Sequence, residues 1–140
     1  MSINEGLNFI QCANDEGDFV GTGPVPRIWP PYPSPLRHLT ENWKDRFDVK
    51  SLGGDKYTLK LKPLDLYVGY DNDLVKLIPM GGPPQTWCIE ATGDGIYTLK
   101  HPDSDQRWTA VDDEDRGPLI KLQKKNDAPS QAWRLLFLGD

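Results

Sequence analysis

One four-residue sequence occurs twice and sets the strongest limit on the fold. Tyr-Thr-Leu-Lys stands at residues 57–60 and at 97–100, and in both places a large aromatic residue, Phe47 or Trp87, lies ten positions upstream. The intervals contain GGDK and GDGI, which are compositions typical of hairpin turns. Trp133 begins a third such strand, WRLLFL, and we expect its partner to be the N-terminal LNFIQ. Repetition at this spacing indicates three copies of one structural unit.

Two more segments follow in the same order in each copy, one that starts with an aromatic residue and one that is rich in leucine. They are Phe19-Val20-Gly21, Tyr67-Val68-Gly69 and Trp108-Thr109-Ala110, and then PLRHL (35–39), DLVKL (73–77) and PLIKL (118–122). No window keeps the apolar spacing of an amphipathic helix. The sequence therefore predicts an all-β protein, a β-trefoil of twelve short strands in three pseudo-repeats, with a β-sandwich as the alternative.

The length and charge of the chain narrow its organisation and its partners. We expect residues 1–140 to form a single β-trefoil domain, with repeats at approximately 1–46, 47–86 and 87–140. A net charge of -5 opposes binding to nucleic acid or to anionic membranes, because such surfaces need clustered Lys and Arg. The N-terminal MSINEGLNFIQ lacks the basic and apolar regions of a secretory signal, so we expect a cytoplasmic protein, and a monomer.

Few residues suggest catalysis or a redox role. Cys12 and Cys88 are too few for a disulfide framework and lack zinc-ligand spacing, so we expect ordinary thiols, and whether they pair is left open. We expect Cys88, which follows a core tryptophan, to face away from the interior. The only two histidines, His38 and His101, are interpreted as surface residues rather than catalysts. From the sequence we therefore expect a protein that is not an enzyme, with no catalytic residues and no cofactor.

An acidic stretch raises the question of calcium. Asp103, Asp105 and Glu114 fall at positions 1, 3 and 12 of a calcium-binding loop, but Trp108 stands where such a loop needs glycine. The repeat also places Trp108 in a strand. We therefore expect a solvated turn and no metal site.

The copies differ most in the connection between their second and third strands. From the aromatic residue to the last leucine the separation is 10 residues in copy two, 14 in copy three and 20 in copy one. The excess in copy one is GPVPRIWPPYPSP, residues 23–35, which holds six of the thirteen prolines. Because proline fixes φ and drives the preceding residue to extended geometry, we expect a stiff, extended loop.

Arg27 is the candidate functional residue of this loop. A trypsin-like protease binds an extended peptide through an arginine, because an acidic group at the base of its specificity pocket pairs with the guanidinium. We predict that Arg27 is the primary specificity residue and that Arg27-Ile28 is the mimicked scissile bond. A stiff loop loses little entropy on binding, which favours inhibition over turnover. The predicted protease-binding residues are Pro24, Val25, Pro26, Arg27, Ile28, Trp29 and Pro30.

With these features the chain resembles the mycospin family, the small fungal β-trefoil serine protease inhibitors of mushroom fruiting bodies. The resemblance runs from the N-terminal GLNFIQ strand through the FVG step to the final tryptophan strand. It implies a defence protein that inhibits trypsin through the loop between strands two and three, with arginine in the primary specificity position. Arg27 stands in that loop here. Fungal relatives that inhibit cysteine proteases use other loops, so a second activity is left open.

Three other interpretations remain. Gln85-Thr86-Trp87 and Gln131-Ala132-Trp133 match the Q-x-W signature of ricin-B-type lectins, although we expect both tryptophans to be core residues. The asparagine that often precedes this glutamine in lectins is replaced by Pro84 and Ser130. The spacing R-x-x-P-x-x-P from residue 27 also fits an SH3 ligand. Finally, the long loop could simply close one end of the barrel.

Overall fold

The computed structural model describes residues 5–14, 17–22, 35–62, 65–78, 84–93, 95–115, 117–126 and 128–139. Within these ranges the regular structure is β-sheet with two short 3-10 helices, Glu41–Trp43 and Pro129–Gln131. The strands are β1 (Gly6–Cys12), β2 (Phe19–Gly21), β3 (Arg37–Leu39), β4 (Phe47–Gly53), β5 (Lys56–Leu61), β6 (Leu66–Asp71), β7 (Leu74–Leu77), β8 (Trp87–Gly93), β9 (Ile96–Lys100), β10 (Gln106–Asp113), β11 (Gly117–Lys124) and β12 (Trp133–Gly139). The prediction of an all-β chain with twelve strands is confirmed.

Six of the strands close into a barrel. β1 pairs with β4, β4 with β5, β5 with β8, β8 with β9, β9 with β12, and β12 returns to β1, all antiparallel. The last pairing joins the two ends of the chain, with Cys12 opposite Trp133, so the predicted partner of the C-terminal strand is confirmed. Closure leaves none of these six strands as a free sheet edge.

The other six strands form three hairpins, β2–β3, β6–β7 and β10–β11, that pack together beside the barrel. β11 pairs with β7 at Lys121 and Leu74, and Pro35 forms an isolated bridge with Lys76. Leu36 completes the contact, because its carbonyl accepts a hydrogen bond from the Ile120 amide at 3.2 Å. A six-stranded barrel with one hairpin for each of three copies is a β-trefoil, as the repeats predict.

Aromatic side chains fill the barrel at equivalent places. Phe47, Trp87 and Trp133 begin β4, β8 and β12, and all three are fully buried. The indole Nε1 of Trp87 donates to the Val68 carbonyl at 3.0 Å, and that of Trp133 donates to the Trp108 carbonyl at 3.1 Å. The Trp108 ring lies edge-on to both other tryptophans, with centroids 5.4 and 5.9 Å away. The tryptophans of both Q-x-W sequences are therefore core residues, as expected.

The third copy is aligned differently from the sequence prediction. Because the two indoles make the same hydrogen bond, Trp108 is the equivalent of Val68 and not of Tyr67. The counterpart of Tyr67-Val68-Gly69 is thus Arg107-Trp108-Thr109, and the predicted alignment was wrong by one residue. The error arose from matching aromatic with aromatic, whereas the buried position holds a small side chain in copy two and a large one in copy three.

The leucine-rich strand of copy one also needs a correction. Trp108 faces Leu122 across its hairpin and Val68 faces Leu77, but Val20 faces His38. His38, rather than the predicted Leu39, therefore occupies the position of the buried leucines. The alternation of a strand then turns Leu39 to the other face, where it is only half-buried.

Candidate functional site

The connection between β2 and β3 is much longer than its two counterparts. The last pair of this hairpin is Gly21 with Arg37, which leaves fifteen residues, 22–36, between them. The corresponding connections have two residues, 72–73, in copy two and three residues, 114–116, in copy three. The predicted binding residues Pro24, Val25, Pro26, Arg27, Ile28, Trp29 and Pro30 lie outside the described residues. What the structure describes is the frame from which this loop leaves and to which it returns.

The entry to the loop is held against the segment that follows β3. The Asp45 carboxylate accepts hydrogen bonds from the Thr22 amide at 3.1 Å and from the Thr22 hydroxyl at 3.4 Å. The Asp45 amide in turn donates to the Val20 carbonyl at 3.2 Å. At Gly21 an added Cβ would lie 2.4 Å from the Trp43 carbonyl oxygen, so only glycine allows this close approach. The chain therefore enters the loop from a fixed point.

The exit of the loop is attached to both other copies. Leu36 is fully buried, and its amide donates to the Val75 carbonyl of β7 at 3.0 Å. The Arg37 guanidinium donates from Nη1 to the Pro118 carbonyl of β11 at 3.1 Å. Since the exit is bonded to two hairpins and the entry to the body of copy one, the two ends of the loop are fixed relative to each other.

His38 lies directly after this exit and is one of the buried polar residues. It is 5% exposed, with Nδ1 2.9 Å from an Asp18 carboxylate oxygen and Nε2 2.7 Å from the Val111 carbonyl. Nε2 also lies 3.4 Å from a carboxylate oxygen of Asp112. The prediction of a surface histidine was wrong, because the partners come from β10 and from the turn before β2. All three partners are hydrogen-bond acceptors, and they hold the ring from both of its nitrogens.

The second histidine, His101, follows β9 in copy three and forms hydrogen bonds through both ring nitrogens. The His101 Nε2 lies 2.6 Å from the Tyr70 hydroxyl, and its Nδ1 accepts a hydrogen bond from the Asp103 amide at 3.0 Å. The partners found for the two rings are carboxylates, main-chain groups and a phenol. Among the described residues, none of these partners is a Ser or Cys side chain.

The two cysteines are free thiols, so within the described residues they do not pair. Cys12 belongs to the central core cluster, whereas Cys88 is buried outside that cluster. Burial raises the pKa of the Cys12 thiol, and it likewise raises the pKa of the Cys88 thiol. Because the thiolate is the reactive form, both side chains are expected to react slowly in the folded protein.

The acidic stretch of copy three forms no cation site among the described residues, where no three His, Cys, Asp or Glu side chains come together as ligands. Trp108 lies in β10, as predicted. In the described ranges, no helix has the length and apolar character needed to cross a bilayer.

Comparison with known proteins supports the fold. No protein-family model matches the sequence, and no curated protein matches it either. Among solved structures, a proteinase inhibitor from Coprinopsis cinerea is similar with a TM-score of 0.78 and 15% identity, over 98% of this chain and 100% of that one. The designed 3-fold symmetric protein ThreeFoil has a TM-score of 0.75 and 17% identity, over 96% and 100% of the two chains.

A third similar structure is SeviL bound to asialo-GM1 saccharide, with a TM-score of 0.66 and 17% identity over 95% of this chain and 98% of that chain. An inhibitor, a designed protein and a saccharide-bound protein thus share one architecture with this chain. At such identities the likeness extends to the fold and no further. The chain has the β-trefoil fold over nearly its whole length.

Proposed function

We propose that this protein inhibits trypsin-like serine proteases by presenting Arg27 as a pseudo-substrate, with Arg27-Ile28 in the place of the scissile bond. The observation that carries the proposal is the fifteen-residue connection of copy one, whose ends are fixed by hydrogen bonds to all three copies. A protease reads an extended segment, and fixed ends lower the entropy lost on binding. They also keep the two sides of a cleaved bond close enough to rejoin.

The chemistry of the loop sequence agrees with this role. Arg27 supplies the guanidinium that an acidic specificity pocket binds, and Trp29 adds a rigid aromatic side chain of the kind enriched in binding hot spots. The similar structure from Coprinopsis cinerea is described as a proteinase inhibitor, which shows that this architecture can carry such a function. We expect the protein to act as a monomer that buries about 800 Å² of its own surface against the protease.

A lectin is the alternative, because SeviL shares the fold and binds a saccharide. The side chains of the Q-x-W glutamines, however, form hydrogen bonds within the protein. Gln85 Oε1 accepts a hydrogen bond from the Tyr70 amide at 2.9 Å, and the Gln131 amide nitrogen donates to the Lys124 carbonyl at 2.8 Å. Both side chains are thus committed to internal contacts. A glycan array screened with the purified protein tests this alternative directly.

Arg27→Glu is the decisive variant for the inhibitor proposal. We expect its inhibition constant against trypsin to rise by about a thousandfold or more, as for a hot-spot residue worth over ~4 kcal/mol. Arg134→Glu is the matched control, since Arg134 is exposed on β12 and undergoes the same charge change. Titration of trypsin with each variant measures the effect. Wild-type inhibition by Arg27→Glu would show that another residue occupies the specificity pocket.

A second variant tests whether the loop is read as a substrate. Arg27→Phe should transfer inhibition from trypsin to chymotrypsin, because the pocket of chymotrypsin is a hydrophobic slot. Prolonged incubation of the native protein with trypsin should produce one cut, after Arg27, detected by mass spectrometry. Cleavage at other sites alone would contradict the proposed scissile bond.

A further inference from the structure

Copy three carries a cavity of mixed polar and apolar lining, separate from the barrel core. It has a volume of about 260 Å³ and is lined by Thr98 of β9, Arg107 of β10, and residues from the segment between β11 and β12, among them Lys125 and Gln131. The inhibitor proposal uses none of these residues, although Gln131 belongs to the second Q-x-W sequence. Their arrangement combines two cationic side chains with hydroxyl and amide groups in a protein whose net charge is -5.

Two residues that line this cavity each hold a buried polar atom with no hydrogen-bond partner in the part of the chain that the structure describes. Thr98 is 6% exposed, and neither its hydroxyl oxygen nor the Nε of Arg107 makes a hydrogen bond within the described residues. The Arg107 side chain is only 14% exposed, and its Nη2 lies 3.4 Å from a carboxylate oxygen of Asp105, which is itself 68% exposed. A charge buried to this extent normally has close partners. A long contact to one exposed carboxylate compensates it poorly.

The strand pairing adds a second positive charge. Arg107 lies directly opposite Lys100 of β9, and like charges in this position destabilise a sheet. In copy two the same pair is Tyr67 with Lys60, whose Nζ lies 5.3 Å above the aromatic ring. Copy three thus has an arginine where copy two has an aromatic ring that attracts the lysine. Glu90 of β8 lies opposite Thr98 of β9 in the β8–β9 pairing.

The wall of the cavity is held in place by Gln131. Its amide nitrogen donates to the Thr109 hydroxyl at 3.1 Å and to the Lys124 carbonyl at 2.8 Å. Its Oε1 accepts a hydrogen bond from the Asn126 amide at 3.0 Å. These bonds tie the segment before β12 to the middle of β10 and to the end of β11. The cavity is therefore formed before any ligand arrives.

We propose that this cavity is a binding site for a small oxyanion, a carboxylate or a phosphate. The oxyanion accepts hydrogen bonds from Arg107 Nε and from the Thr98 hydroxyl, and Lys125 adds positive charge at the rim. An arginine edge presents parallel N–H donors that match the oxygens of such groups. Binding would satisfy both unpartnered atoms at once and reduce the repulsion between Arg107 and Lys100.

The test is an NMR titration of the 15N-labelled full chain with succinate and, separately, with inorganic phosphate, each at constant ionic strength kept with sodium chloride. We expect saturable shifts in the millimolar range, confined to the Arg107 Nε–H signal and to amides of β9, β10 and residues 125–132. Saturation with either anion supports the site, and the stronger of the two identifies the ligand class. Shifts that do not saturate, or that spread over the whole protein, would overturn the proposal.

Variants separate binding from a purely structural role. Arg107→Gln should weaken the affinity about tenfold or more, as expected for loss of a charge-assisted hydrogen bond, and Thr98→Val should weaken it less. Arg134→Gln, which removes an exposed arginine elsewhere, should leave the affinity unchanged. If Arg107→Gln does not fold, Thr98→Val still decides the matter, and wild-type affinity in that variant counts against the site. Trypsin inhibition should be unaffected by either change, which keeps this test independent of Arg27.

Discussion

The β2–β3 and β6–β7 hairpins are built on the same plan and differ in what joins their strands. Val20 and Val68 are both fully buried, and each is followed by a glycine that another segment approaches closely. The amide after each glycine donates a hydrogen bond to a side-chain oxygen, which belongs to Asp45 in copy one and to Gln85 in copy two. Each of these acceptors lies two residues before a core aromatic residue. The largest difference is in the connections, with fifteen residues in copy one against two in copy two.

The comparison shows where this fold accepts additional sequence. Residues that bury side chains or satisfy main-chain groups are shared between the hairpins, because the barrel and the hairpin contacts depend on them. The turn of a hairpin neither buries core side chains nor satisfies main-chain groups of the barrel. A long insertion there therefore lowers the stability of the fold only slightly. Copy one has its insertion at the turn, and the hydrogen bonds of Thr22, Leu36 and Arg37 hold the two ends of that insertion.

Removal of the insertion should have the largest effect on function. We expect replacement of residues 23–34 by two glycines to abolish trypsin inhibition and to leave the melting temperature nearly unchanged. Shortening a loop lowers its closure cost, by about 0.6 kcal/mol for each halving of its length, so stability is not lost. Inhibition assays and circular dichroism measure the two outcomes.

The short turn of copy two provides the control for this excision. Insertion of two glycines between Asn72 and Asp73 changes a loop length without touching copy one, and it should leave inhibition intact. An excised protein that still inhibits trypsin at wild-type strength would show that the inhibitory site lies outside residues 23–34.

The repeats made the fold predictable, and long-range pairing made parts of the site unpredictable. The duplicated YTLK and the aromatic residues at 47, 87 and 133 indicated the trefoil because they recur wherever the barrel needs a buried ring. The burial of His38 could not be foreseen, since its partner Val111 lies 73 residues away. The cavity at Arg107 was missed because the alignment of copy three was wrong by one residue. A correct alignment would have placed Arg107 at the position that Phe19 and Tyr67 occupy in the other copies. An arginine in place of an aromatic residue is the signal that could have revealed the cavity.

His38 is the second position at which copy one differs from the other two copies. Leucine occupies this position in both other copies, so His38→Leu fits the space but removes the partners of Asp18 and the Val111 carbonyl. We expect a loss of about 1–3 kcal/mol in the free energy of unfolding, because a partly buried carboxylate and a carbonyl lose their donors. Urea denaturation measures the change.

A double-mutant cycle with Asp18→Asn isolates the contact between the two side chains. If the histidine and the carboxylate stabilise each other, the losses from His38→Leu and Asp18→Asn should sum to more than the loss in the double variant. A His38→Leu protein as stable as the wild type would mean that hydrophobic packing at this position outweighs the hydrogen bonds.

The two glycines give the smallest and most direct comparison. A Cβ at Gly21 would lie 2.4 Å from the Trp43 carbonyl, whereas a Cβ at Gly69 would lie 2.5 Å from Gln85 Oε1 and 2.7 Å from Ile78 Cδ1. A main-chain carbonyl moves less easily than the end of a side chain. We therefore expect both alanine variants to be destabilised by about 1–3 kcal/mol, with the larger loss at Gly21.

The third copy supports this order, because the equivalent position there holds Thr109, whose hydroxyl accepts a hydrogen bond from the Gln131 side chain. An amide side chain can thus make room for a Cβ, and the same adjustment is open to Gln85 beside Gly69. Gly93→Ala is the control, since a Cβ there would meet Ile96 Cβ at 4.0 Å, which is an ordinary contact. Urea midpoints for the three variants decide the order. An equal loss at Gly21 and Gly69 would mean that the segment after β3 can shift, and the entry to the long loop would then be less firmly fixed than its hydrogen bonds indicate.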